Sequence, residues 1–96
     1  MSINDLLKEK REDILKIASR YGAHNVRLFG SVARGEAGPE SDVDFLVRLE
    51  RGTTLLHHAA LVRELKSLLG REVQVVSERA LRSRIKDRVM REAIPL

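Results

Sequence analysis

Cysteine and tryptophan are both missing from this 96-residue chain, and Tyr21, Phe29 and Phe45 are its only aromatic residues. Without thiols there is no disulfide framework and no thiolate metal site. With three aromatics against 43% apolar residues, the core must be aliphatic. No secretory or transmembrane segment precedes the first helix, so a cytoplasmic protein without membrane contact is the expectation. Charge of one sign is also scarce: 18 basic residues stand against 14 acidic ones. The net charge of +4 suits an anionic ligand or partner without demanding nucleic acid. The length fits a single domain spanning residues 1–96, able to bury about two thirds of its extended surface but with no room for a separate substrate domain.

What is present is mostly helical spacing. Ser2 to Tyr21 places Leu7, Ile14, Ile17, Ala18 and Tyr21 on one stripe, and Gly22 ends the helix. Thr53 or Thr54 is positioned to cap a helix from Leu55 to Leu69, apolar at Leu55, Ala59, Val62, Leu65, Leu68 and Leu69, with Gly70 closing it. His24 lies in a turn and is expected to be solvated. His57 and His58 do not make a metal pair, because adjacent helical residues point about 100° apart. Ala80 to Ala93 predicts a last helix, apolar at Leu81, Ile85, Val89 and Ala93 and basic elsewhere. Lacking interleaved aromatics, it reads as a packed helix with a solvated basic face, and direct nucleic-acid binding is not expected. Ile94-Pro95-Leu96 then either tucks back or meets another protein.

Between these helices lies the stretch around which the chain is organised. Val26 to Phe29 reads as a strand, Gly30-Ser31 as a break opening a short helical turn, and Asp42 onward as a second strand reaching Glu50. Strand residues two apart share a face, so the carboxylates of Asp42 and Asp44 point the same way, with Cα atoms roughly 6.5 to 7 Å apart. They form either a solvated edge or a seat for a hard divalent cation such as Mg²⁺, which offsets their repulsion. Leu46 continues that face, so the acids stand where the surface turns apolar. Gly30 admits close approach of a phosphate to the backbone, and Ser31 adds a hydroxyl donor. Arg34 is placed either to reach a phosphate or to pair with Glu36 or Glu40. Gly35, Gly38 and Pro39 predict a mobile loop beside the site. Glu72 to Val76 reads as a third strand, its Gln74 on the face opposite Val73 and Val75. The helix crossover makes strands two and three parallel, while the short loop makes strands one and two antiparallel, which predicts a mixed sheet of about three strands packed with helices, an α/β (α+β) fold.

The Gly30-Ser31 pair, the spacer Val32 to Ala37 and Ser41-Asp42-Val43-Asp44 together resemble the minimal nucleotidyltransferase branch of the polymerase-β-like nucleotidyltransferase superfamily. The resemblance extends over nearly the whole chain, including Arg88 to Leu96. It implies a nucleotidyltransferase fold and transfer of a nucleoside monophosphate, AMP from ATP, to an acceptor hydroxyl. It also implies an antitoxin paired with a HEPN-domain toxin. Carried onto this chain, Asp42 and Asp44 become catalytic and Mg²⁺-binding residues, and Gly30, Ser31, Arg34 and Ser41 nucleotide-binding ones. Gln74 stands where the family usually has a third carboxylate. As a metal ligand it offers an oxygen without charge, which opens the alternative of a weakened module that binds nucleotide or partner with little transfer.

Overall fold

The chain is described by a computed structural model covering residues 2–38 and 40–96. Helices α1 (Ile3–Glu9) and α2 (Arg11–Arg20) lead to strand β1 (Ala23–Phe29), the single helical turn α3 (Gly30–Ala33) and strand β2 (Val43–Leu49). Helix α4 (Leu55–Leu69) crosses to strand β3 (Val73–Ser77). A 3₁₀ turn (Glu78–Ala80), helix α5 (Ser83–Glu92) and strand β4 (Ile94–Pro95) complete the described elements.

Among the described residues the sheet has four strands in the order β3-β2-β1-β4. β1 runs antiparallel to β2, and β2 parallel to β3, as the short loop and the helical crossover dictate. The fourth strand is the departure from the expected three: the chain end folds back antiparallel to β1, pairing Arg27 with Pro95 and Leu28 with Ile94. Two residues satisfy the open edge of β1, a pairing too brief to leave a period-two signature in the sequence. The Leu96 N–H extends it by donating to the Val26 carbonyl at 3.2 Å. Near its start β1 bulges at Asn25, which takes φ 51° and shifts the register between His24 and Arg27.

Helices α2 and α4 cover one face of the sheet. Ile14 and Ala18 from α2, Leu61, Leu65 and Leu69 from α4, and Leu28, Val43, Phe45, Val47, Val73 and Val75 from the strands form one buried cluster. Burying each of the larger side chains stabilises the fold by about 1.5–3 kcal/mol. The buried stripe of α4 continues toward its N-terminus through half-buried His58, whose Nε2 lies 2.8 Å from the Val75 carbonyl, and not through Leu55, which is 85% exposed. The expectation of Leu55 as a packing residue is therefore corrected: the first turn of α4 starts beyond the sheet. Thr54 caps that turn, and the His57 N–H donates to its Oγ1 at 3.2 Å while the Thr54 N–H donates to His57 Nδ1 at 3.1 Å. His57 is thus a cap and His58 a strand clasp. His24, expected to be solvated, is hydrogen-bonded through Nε2 to the Glu50 carboxylate.

The single helix expected over Ser2 to Tyr21 is two helices. Lys10 leaves helical geometry at φ −95°, ψ 6°, and neither glycine nor proline marks the break. Leu7 is buried beyond it and shares a cavity of about 250 Å³ with Leu28 and Leu96 at the β4 side of the molecule. No helix among the described residues is long and apolar enough to cross a membrane.

Candidate functional site

The second face of the sheet is built from two rungs. Arg27, Leu46 and Val76 lie across β1, β2 and β3 in register, and one step further toward the start of β2 lie Phe29, Asp44 and Gln74. Leu46 is fully buried although it points away from the helical core, and Arg27 is 8% exposed beside it. The Arg27 guanidinium pairs with Glu78 and donates to Met90 Sδ at 3.3 Å, which fastens the 3₁₀ turn and α5 over this rung. That buried arginine was not foreseen, since a basic residue at an alternating strand position carries the same pattern as a solvated one. The cover ends at the second rung, where Asp44 is half-buried and Gln74 exposed.

Gly30 stands directly against Asp44. It takes φ +71°, and a Cβ there would overlap Asp44 Oδ2 and come within 3.2 Å of Cγ. Both facts restrict the position to glycine. The pairing of Phe29 with Asp44 brings the two together, because it delivers the chain from β1 into α3 over the start of β2. Asp42 lies just before β2 and is exposed, with the Val43 N–H between the two acids donating to the Glu72 carbonyl at 3.0 Å. Burial first, and the neighbouring Asp42 second, raise the Asp44 carboxyl above its ordinary pKa, while Arg34 opposes them.

Ser31 is the second residue of α3, whose N-cap is Phe29. Its hydroxyl is half-buried, forms no helix cap and makes no hydrogen bond among the described residues. Ser41 differs: its Oγ accepts from the Gly38 N–H at 2.7 Å, so this hydroxyl closes the loop before β2. Arg34 is exposed, with Nε 3.0 Å from Glu36 Oε2 and Nη1 3.7 Å from Glu92 Oε2. It pairs with Glu36 and not with Glu40, and it also ties α3 to the end of α5. Of the three turn-forming residues between Ser31 and Ser41, Pro39 lies outside the described residues.

Asp42 and Asp44 offer carboxylate oxygens at one edge, and Gln74 an amide oxygen on the neighbouring strand. No group of three histidine, cysteine or acidic residues that could hold a metal occurs among the described residues. The two acids repel, and that repulsion adds to the burial that raises the Asp44 carboxyl. Such a donor set fits one hard divalent cation and provides only a neutral oxygen in place of a third acid. On the other side of Asp44, Gly30 and the free hydroxyl of Ser31 give an anion a close approach.

Known proteins resemble the chain over most of its length. The family described as nucleotidyltransferase domain matches residues 7–96. The protein adenylyltransferase MntA of Thermococcus cleftensis is 38% identical over 94 residues, 93% of this chain and 95% of that protein. A candidate protein adenylyltransferase of Methanocaldococcus jannaschii is 35% identical over 94 residues, 98% of this chain and 97% of its own length. A solved structure of a candidate minimal nucleotidyltransferase superposes with a TM-score of 0.87 at 53% identity, covering 96% of this chain and 94% of that one. The crystal structure of a toxin–antitoxin with AMP-PNP superposes with a TM-score of 0.75 over 88% of this chain and 69% of that one, and at 22% identity the likeness is one of fold.

Proposed function

The chain belongs to the nucleotidyltransferase domain family, and from that membership we propose that it transfers AMP from ATP to a hydroxyl of a HEPN-domain protein and thereby acts as the antitoxin of a toxin–antitoxin pair. The observation that carries this reading is the packing of Asp44 against Gly30, which sets the two-carboxylate edge and the Gly30-Ser31 turn face to face. Relatives support the finer points: one is the protein adenylyltransferase MntA, another a candidate protein adenylyltransferase, and the fold is shared with the toxin–antitoxin MntA–HepT.

In this reading Asp42 and Asp44 would hold Mg²⁺ with the Gln74 amide oxygen beside them, and that cation would supply charge neutralisation for the phosphates. The chain's own groups position the reactants. The backbone at Gly30 admits the triphosphate, the Ser31 hydroxyl donates to it, and Arg34 exchanges its surface carboxylates for phosphate oxygens. Ser41 acts by holding the loop that presents Asp42. Phosphoryl-group transfer depends mainly on alignment and charge neutralisation, so this small set suffices without a covalent intermediate. The acceptor hydroxyl comes from the partner.

Gln74 favours a second reading. It stands in register with Asp44, and among the described residues no third acid joins the two aspartates in a group that could hold a metal, so nucleotide binding survives while transfer slows, and the protein works chiefly as a nucleotide- or partner-binding module. Titration calorimetry tests what both readings share. Mg²⁺–ATP binds the natural protein, and the Asp42→Asn/Asp44→Asn variant loses that binding while remaining folded. Unchanged affinity in the variant contradicts the site.

A further inference from the structure

Between Glu78 and Glu92 the chain carries six basic and three acidic residues, three of its four net positive charges. The fold sorts these charges by direction. Glu78 turns inward to the buried Arg27, and Glu92 lies 3.7 Å from Arg34. Two of the three acids are thus matched by cations from β1 and from the turn after α3, and the segment's own cations face outward. Arg79, Arg82, Arg84, Lys86 and Arg91 are exposed and form no ion pair among the described residues, while Arg88 keeps 68% of its side chain exposed at 3.7 Å from Glu92.

Arg84, Arg88 and Arg91 are spaced i, i+4, i+7 and share one face of α5 over about 10 Å of its axis. Like charges at this spacing weaken a helix, and the Arg88–Glu92 pair and the place of Arg91 in the last turn offset that only in part, because Arg84 in the first turn has neither. Nor does α5 bury any residue; Ile85, adjoining the stripe, is 47% exposed. An apolar side chain flanked by exposed cations, of which only Arg88 has an acidic neighbour, is the composition of a docking surface with an acidic counterpart. The stripe ends one residue from Glu92, whose partner Arg34 also acts on the Asp44 carboxyl.

We propose that Arg84, Arg88 and Arg91 dock an acidic surface of the protein that carries the acceptor hydroxyl, bringing it to the end of the sheet where Asp44 lies; this rests on the transfer reading above. The occupant is a protein surface and not RNA, because α5 has no aromatic side chain for a base to stack on and Asp87 and Glu92 interrupt its basic run. Anisotropy of labelled poly-L-glutamate tests it against the natural protein, the Arg84→Glu/Arg88→Glu/Arg91→Glu variant, and a Lys16→Glu/Arg51→Glu/Arg63→Glu control with the same change in net charge. The stripe variant binds about ten-fold more weakly and the control changes less than about two-fold. Equal losses in both variants, or tighter binding of the natural protein to labelled oligouridylate than to poly-L-glutamate, overturn the proposal. Mg²⁺–ATP affinity, measured in parallel, stays at the natural value in the stripe variant. Loss of that affinity in Asp42→Asn/Asp44→Asn bears only on the nucleotide site, so the two readings fail separately.

Discussion

Replacing Gly30 by alanine separates two effects that the structure places at one atom. The first is conformational, since φ +71° costs a residue with a Cβ about 1–2 kcal/mol. The second is steric, since the new methyl overlaps the Asp44 carboxylate and forces a side chain or strand shift worth about 1–3 kcal/mol. Gly30→Ala therefore destabilises the fold by about 2–5 kcal/mol. Gly70 supplies the reference: it takes φ +64° with no atom within 4 Å of a built Cβ, so Gly70→Ala carries only the conformational cost of about 1–2 kcal/mol. Truncating Asp44 to alanine removes the obstacle, and in that background Gly30→Ala should fall to the Gly70→Ala value. Denaturant unfolding of the single and double variants yields the coupling directly. A difference of 1 kcal/mol also moves the midpoint of a chain this size by about 4–8 °C, well within the reach of thermal melts. If Gly30→Ala costs the same with and without the Asp44 carboxylate, the two groups are not packed as described.

Three further outcomes follow from the same geometry. Ser31→Ala leaves stability within about 0.5 kcal/mol, because its hydroxyl caps nothing, but it weakens Mg²⁺–ATP binding by about 1.5–3 kcal/mol, an order of magnitude or more in Kd; calorimetry and a melt on the same sample check both halves. Gln74→Asp restores a carboxylate in register with Asp44 and raises the transfer rate about ten-fold or more at fixed Mg²⁺, with ATP affinity within a few-fold, in single-turnover assays. In metal-free buffer Asp44→Asn raises the melting temperature at neutral pH. The folded state holds the Asp44 carboxyl above its ordinary pKa, so it favours the proton more than the unfolded chain does. Stability therefore falls as pH rises between the ordinary and the raised value, and the gain from asparagine shrinks on acidification below the raised value and is gone below the ordinary one.

The parts of the fold legible in the sequence are those with a repeating signal or a special residue. Leu55 to Leu69 emerged with both ends intact because Thr54 and Gly70 mark them, and the alternation Val73, Gln74, Val75 placed Gln74 on the face of Asp44 once the crossover made β2 and β3 parallel. What stayed hidden depends on contacts between distant segments. The break at Lys10 has no local marker, and β4 is two residues long. Leu55 fits the apolar period of α4 but projects past the sheet it was expected to cover. Arg27 and Glu78 are 51 residues apart, so their pairing has no counterpart in any sequence window. The site shows the same division. Gly30 and the acids are recognisable by type and spacing, whereas the packing of Gly30 on Asp44 and the bond by which the Ser41 hydroxyl closes its loop required coordinates.

Mass spectrometry after incubation with isotope-labelled ATP, Mg²⁺ and a co-expressed HEPN-domain protein tests the central claim most directly, comparing the natural chain, Gln74→Asp and Asp42→Asn/Asp44→Asn. The account predicts labelled nucleotide on an acceptor hydroxyl, formed faster by Gln74→Asp than by the natural chain and not at all by the double variant. Undiminished labelling with the double variant, or none with Gln74→Asp, would contradict it.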